Sequence, residues 1–421
     1  MSDLKKSIGV WRGTAMMLNI VLGAGLLTLP GLAVKTAGSS ALLVWLVCAL
    51  AAVPLLAVFG ILGRRFPDAG GIAAVMKRAF GEYAQVGATF LFLGAVTVGL
   101  PSIALTGAHY AEAAIGGSVH FYAGILIVLA MLANLGSPEV SGRINAAIAS
   151  AIIAVLALLA VFGWFAVSPS WQDVSVLQET PDIPTFGLAF MMVFFAFTGW
   201  EVAANLGGEF RNPKRDFPMA MAFSFLVAIA LYFVLAVIVV AAGPEAAVEA
   251  PFSLILGREF GQLGASAVSL IAVVLIFANL SAAIWAVSRM VYAAAGDGLL
   301  PAPFAKLKAD IPLNAVTLTT IVLLSVVGIS AVGDIDLGVL LAAAGLNFLL
   351  LYAGAAAALL RLSSVAAHSV LGVVSLLLVL GLILGRGVEA IWYPAGLILL
   401  GFLVVALRGK QTQGELSRGE G

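Results

Sequence analysis

Apolar stretches long enough to cross a bilayer follow one another along this chain, separated only by short polar segments. A helix needs roughly 17–25 apolar residues to cross about 30 Å of hydrocarbon, where every backbone N–H and C=O must be bonded within the protein. This restricts the fold to a bundle of membrane-spanning helices. The alternating segments of ~10 residues that a membrane barrel needs are not seen in the sequence. Composition agrees: 62% of residues are hydrophobic and 10% charged, against about 25% charged in soluble domains.

Twelve spans are read at about 12–34, 41–63, 84–111, 121–136, 144–167, 185–206, 218–242, 262–294, 313–332, 337–360, 366–385 and 389–407. The third and eighth are long enough to be tilted. If the N-terminus is cytoplasmic, all 21 Lys and Arg fall on the inner side except Lys35, Arg258 and Arg386. Such a bias orients membrane proteins, and one miscounted span would destroy it. The expectation is therefore a multi-pass protein of a bacterial inner membrane with both termini cytoplasmic. No cleavable leader is expected, because Lys5, Lys6 and Arg12 lead into a full-length span.

The basic residues are spread over many short loops, so they read as topology signals and not as a nucleic-acid surface. The single cysteine, Cys48, leaves no internal disulfide possible. No Ser/His/Asp set, metal cluster or phosphate loop is visible, so neither an enzyme nor a cofactor is expected. The partner implied at this point is the lipid bilayer.

Two longer connections, 64–81 inside and 243–261 outside, each join the second and third spans of a five-span group. Each has a Pro, then a short amphipathic stretch that ends in a basic residue and, one residue on, Phe-Gly: Arg78-Ala79-Phe80-Gly81 and Arg258-Glu259-Phe260-Gly261. Lying on opposite sides, they suggest an inverted repeat. The fold expected is an all-α membrane protein of twelve transmembrane helices, with a 5+5 inverted-repeat core and broken helices 1 and 6, plus two extra C-terminal helices. The core covers 1–362, with repeats at about 12–167 and 185–361. Spans 11 and 12 occupy 363–407, and 408–421 reads as a disordered tail.

The first span of each half carries a glycine interruption: Gly23-Ala24-Gly25 in span 1, and Gly199 in span 6 with Glu201 two residues on. Glycine in a membrane helix often serves only close packing. Two interruptions at matching positions, one beside the only carboxylate well inside a span, point instead to a substrate site. A break at 23–25 leaves backbone N–H groups free and puts a positive helix end at mid-membrane, suited to a carboxylate. The first half of span 6 ends near Phe197, Thr198 and Gly199 with free carbonyls, suited to an ammonium group. A zwitterionic amino acid meets both. Met16, Met17, Phe194, Phe195, Phe197 and Trp200 lie nearby, with Phe197 and Trp200 the gate candidates by position. No charge other than Glu201 meets a side chain, so neutral apolar substrates follow.

Glu201 has three readings: a proton-coupling site, a support for the helix break, or a partner for a cationic substrate. Ser281 and Asn279 read as ion-site or pathway oxygens, against the commoner role of helix-packing groups. Asn347 is a pathway candidate or an interhelical hydrogen bonder. His109 reads as a packed or interfacial residue. Arg211, Lys214, Arg215 and Asp216 read as topology anchors, or as an inner gate pairing with Asp68 or Asp297.

At these residues the chain resembles the amino acid–polyamine–organocation superfamily. NIVLGAGLLTLPGLA is similar to that family's opening helix, FPDAGGIAAVMKRAFG to its first cytoplasmic loop, FFAFTGWEVAANLGGEFRNPKRDFPMA to its sixth-span signature, and AVSRMVYAAAGDGLLPAPFAKL to the end of span 8. Within the superfamily, VFGILGRRFPDAGG, TVGLPSIAL and GGEFRNPKRDFPMA resemble bacterial carriers that export methionine and branched-chain amino acids. The resemblance implies proton-driven efflux of neutral amino acids by alternating access. Some family members place a lysine in span 5 that stands in for a sodium ion. RINAAIASAIIAVLALLAVFGWF has none, so that mechanism does not carry over. The alternatives are an importer working by proton symport, a basic amino acid or polyamine exchanger, and, from another class, a proton-translocating subunit of a larger complex.

Overall fold

The computed structural model describes residues 8–22, 24–66, 71–135, 138–170, 182–200, 210–308 and 311–419, with backbone only at 19–20, 24, 138–152, 388–389 and 407–419. All described regular structure is helical. Isolated bridges Ile8–Phe210 and Lys308–Ile311 are the only β pairings among these residues.

The chain opens with α1 (Val10–Val21). It ends at Leu22, whose backbone leaves the helical region. A short 3-10 turn, Ala24–Leu27, follows. α2 (Leu29–Ala37) then resumes, with Pro30 in its first turn, where the missing N–H costs nothing and the fixed φ suits a helix start. The first apolar stretch is thus two helices with an unwound joint. Next come α3 (Ala41–Arg65), the short α4 (Gly71–Phe80), α5 (Glu82–Ile115), α6 (Val119–Ala133) and α7 (Pro138–Val167).

α8 (Ile183–Phe194) is capped by Asp182, whose carboxylate accepts from Thr185 N at 3.1 Å. It tightens into a 3-10 turn, Phe195–Phe197, and then unwinds: Thr198 is extended and Gly199 has φ 102, a conformation that only glycine adopts without strain. Glu201 lies outside the described residues, as does Gly23. Then come α9 (Asp216–Ala241), α10 (Pro251–Gly296), α11 (Leu313–Gly333), α12 (Leu337–Leu362), α13 (Ala366–Arg386) and α14 (Trp392–Gly419). Helix continues to Gly419 through the stretch that composition reads as a disordered tail. α10 is divided at Gly261, φ 63, into a short helix and a long one. Gly81, φ 90, ends α4 in the same way after its own Phe-Gly.

Seven helices among the described residues are long and apolar enough to cross a membrane, and shorter apolar helices lie at Val119–Ala133, Ile153–Val167, Ile183–Phe197 and Trp392–Ala406. α5 is central, packed against α10, α12 and α6, while α12 also packs on α8. A Cβ at Gly345 of α12 would overlap the Met191 carbonyl of α8, so glycine sets that close crossing. Aromatic side chains fill the middle: Trp45, Phe190, Phe194, Phe197, Tyr232 and Tyr352 are fully buried. Leucines such as Leu226, Leu270, Leu377 and Leu399 stand exposed on the outside of the bundle, as a lipid-facing surface requires. At one end, Arg211 N donates to Ile8 O at 2.9 Å, fastening the entry to α1 to the chain just before α9.

Candidate functional site

The two unwound joints face each other across a cavity of about 460 Å³. Val21, Gly25 and Leu26 contribute from the first joint, and Phe195, Ala196, Thr198 and Gly199 from the second. α5 supplies Phe92, Ala95, Val96, Gly99, Leu100 and Ile103. α10 supplies Asn279, Ala282, Ala283, Ala286, Val287 and Met290, and α12 supplies Phe348. Along α10 the cavity runs from Asn279 to Met290, toward the Gly296 end of that helix.

The lining is apolar. No charged side chain belongs to it among the described residues, and its polar side chains are Thr198 and Asn279. Three rings form a connected wall: Phe92 meets Phe348 edge-on at 5.7 Å, and Phe195 lies 6.3 Å from Phe348. Small residues opposite, Gly99 and the alanines of α10, leave the space. A Cβ at Gly99 would already press on the Phe195 ring at 3.1 Å.

The joints are held by two tyrosines. Tyr110 of α5 donates to Leu27 O at 2.8 Å. Tyr232 of α9 donates to Ala196 O at 2.7 Å and stands 3.5 Å from Val21 O. Thr198 donates from its hydroxyl to Phe195 O at 2.8 Å. Buried carbonyls freed by unwinding must find donors or pay the desolvation cost, and these side chains meet that need. Phe195 O also accepts from Thr198 N at 3.2 Å, so both of its lone pairs are used, whereas a carbonyl with one donor keeps a second lone pair.

Of the residues singled out from sequence, Gly25, Thr198 and Gly199 come together on the cavity. Ala24 begins the 3-10 turn at the first joint. Phe197 and Trp200 do not line the cavity. Phe197 packs edge-on against Tyr232 at 5.1 Å and near Trp45 at 6.1 Å, and Trp200 packs edge-on against Phe225 at 5.8 Å. A 3-10 turn advances about 120° per residue, so neighbouring side chains point apart: Phe195 faces the cavity while Phe197 enters the bundle. Met17 and Phe194 are likewise buried in packing.

Ser281 is also away from the cavity, where its hydroxyl and carbonyl accept from Asn134 Nδ2 at 3.3 and 2.9 Å, joining α10 to the end of α6. Asn279, two residues earlier, does line it. Asn347 is fully buried beside Phe348 and donates to Ala343 O in its own helix at 2.8 Å. His109 stands 3.6 Å from Glu112 at the far end of α5. Among the described residues no ion pair joins Arg211, Lys214 or Arg215 to Asp297, and Asp68 lies outside them.

Sequence reasoning named Asn279 but missed the rest of the α10 lining, the α5 lining, Phe348 and both tyrosines. The α10 series Asn279, Ala282, Ala283, Ala286, Met290 has helical spacing, but so does any packed face.

Residues 8–409 match the amino acid permease family. The chain is 30% identical over 371 residues to the uncharacterized amino acid permease YecA of Bacillus subtilis (strain 168), covering 86% of each chain. It is 31% identical over 303 residues to the L-methionine/branched-chain amino acid exporter YjeH of Escherichia coli (strain K12), covering 70% of this chain and 71% of that one. It is 24% identical over 347 residues to the putrescine transporter PotE of Haemophilus influenzae, 78% of each. This chain is accordingly a multi-pass membrane transporter and not an enzyme, and it belongs to the amino acid permease family of the amino acid–polyamine–organocation superfamily.

Proposed function

We propose that this permease moves neutral, apolar L-amino acids (methionine, leucine, isoleucine and valine) out of a bacterial cell across the inner membrane, driven by the proton gradient. The single observation that carries the reading is the ring-walled cavity between the two helix joints, with no charged side chain among the described residues that line it. Its size falls within the roughly 300–1,000 Å³ of ordinary small-molecule sites. The substrate carboxylate rests on backbone N–H groups at the first joint, at the positive end of α2. The α-ammonium shares the carbonyls at the end of the 195–197 turn. The side chain lies among Phe92, Phe195, Phe348 and Met290.

The layout that accommodates this is twelve spans in two inverted five-span halves, the joints falling in the first span of each, with both termini cytoplasmic. The paired short helices ending at Gly81 and Gly261 support the repeat. Alternating access moves one half against the other around the fixed site. Glu201, next to the second joint in sequence, either carries the coupled proton or holds the joint open.

The test is counterflow in proteoliposomes with radiolabelled methionine, with and without a pH gradient. Leucine, isoleucine and valine should compete. Competition by arginine or putrescine alone would support the basic amino acid or polyamine exchanger. A Glu201→Gln chain that keeps counterflow but loses acceleration by the gradient assigns the proton to that carboxyl, and unchanged gradient-driven transport excludes the proton-coupling role.

A further inference from the structure

Lys35, near the end of α2, bonds Glu249 Oε1 at 2.8 Å and Asp336 Oδ2 at 2.9 Å. Three separate parts of the fold meet at this one ammonium group: α2, which begins at the first joint; the connection between α9 and α10; and the N-terminus of α12. We propose that these three residues form a gate at this end of the transport path, and that both ion pairs must part before the cavity opens to that face. This rests on the reading of the cavity as a translocation site.

The placement is specific. One turn before Lys35 on α2, a Cβ at Gly31 would overlap the Val248 carbonyl, so α2 lies directly against the connection that carries Glu249. Gly31 and Lys35 share a helix face by their spacing of four. Asp336 is fixed from its other side, since its Oδ1 accepts from Gly338 N at 2.7 Å as the cap of α12. The connection has an independent anchor, with Arg258 paired to Glu245 and donating to Ala242 O at 3.3 Å. Lys35 is therefore the movable partner between two held acceptors.

Moving α2 away from both α12 and the α9–α10 connection would part both pairs and open Gly25 and Leu26 to that face together, because α2 starts at that joint. All three side chains are part-exposed, at 43, 22 and 46%. Water screens such pairs, so each is weak and reversible, which suits a catch that must reopen in every cycle. The other side of Glu249 borders an open pocket of about 550 Å³ shared with His109, Glu112 and Arg258, so bulk solution reaches the pair. Lys35 is also one of the few basic residues that the charge bias leaves on the outer side, and the gate gives it a use there.

The experiment places a cysteine at Ile103, on the cavity wall between the joints and the gate, and follows its labelling by a membrane-impermeant thiol reagent added to right-side-out vesicles. Cys48 is fully buried, and the chain without Ile103→Cys controls for it. Lys35→Met should raise the labelling rate about five- to tenfold, as expected for releasing a closed-state bias. Lys35→Arg should leave it near the parent rate, and Asp336→Asn, which keeps the cap on α12, should give an intermediate rise. Equal rates in parent and Lys35→Met chains of matching thermal stability would overturn the gate. Labelling needs no transported substrate, so failure of methionine counterflow with the rate rise intact would sink the transport reading alone.

Discussion

The hydroxyl of Tyr232 donates to the carbonyl of Ala196 at 2.7 Å and lies 3.5 Å from that of Val21, the last residue of α1. One buried side chain of α9 thus touches both helix joints. Tyr232→Phe keeps the ring packing against Phe197 and Trp45 but strands a buried carbonyl, which costs about 1–3 kcal/mol. Thermal unfolding in detergent should show that loss, and methionine counterflow should fall further than stability does, because the joint loses its shape.

Gly99 of α5 and Phe348 of α12 both line the cavity and limit its size. Gly99→Leu would drive the Phe195 ring into the space and should abolish counterflow, with the chain still folded by circular dichroism. Phe348→Ala should shift preference from valine toward larger side chains by roughly tenfold, the scale of one or two methylenes in an apolar pocket. The ratio of competition constants for valine and phenylalanine measures it.

Asn279 and Ser281 should separate cleanly. Ser281→Ala removes one acceptor for Asn134 while the carbonyl remains, so transport should stay within about twofold and stability should drop by at most about 1 kcal/mol. Asn279→Leu alters the cavity wall itself and should weaken substrate competition at least about tenfold. Counterflow and melting curves on both chains check the contrast.

Burial pushes the Asp336 carboxyl up, but the Lys35 ammonium and the Gly338 N–H outweigh it and hold the group below the usual carboxylate range. A group lowered on folding adds stability above its unfolded pKa of about 3.9 and loses it as pH falls through the folded value. Melting temperature should therefore keep the Asp336 contribution from pH 7 down to about pH 4 and lose it below. In Asp336→Asn the contribution should be absent at pH 7 and the acid-side loss smaller.

Much of the helical architecture can be read from the sequence because lipid demands long apolar segments, and the joints because Gly199 and the Gly-Ala-Gly run interrupt two of them. Which side chains face the cavity cannot be read so. In a membrane bundle the inner and outer faces are both apolar, so periodicity does not separate Phe195 from Phe197, or Asn279 from Ser281. Lys35 is legible only as a basic residue on the wrong side, since its acceptors lie 214 and 301 residues away along the chain. Tyr232, in an unbroken apolar helix, gives no local sign that it serves two carbonyls elsewhere.

The most direct measurement of the central claim is substrate protection of a cysteine placed at Ala286, on the α10 wall of the cavity, in purified protein. Methionine should slow its labelling in proportion to occupancy, with the same half-maximal concentration as counterflow, and arginine should not. Labelling indifferent to methionine in a chain that still catalyses methionine counterflow would place the substrate elsewhere.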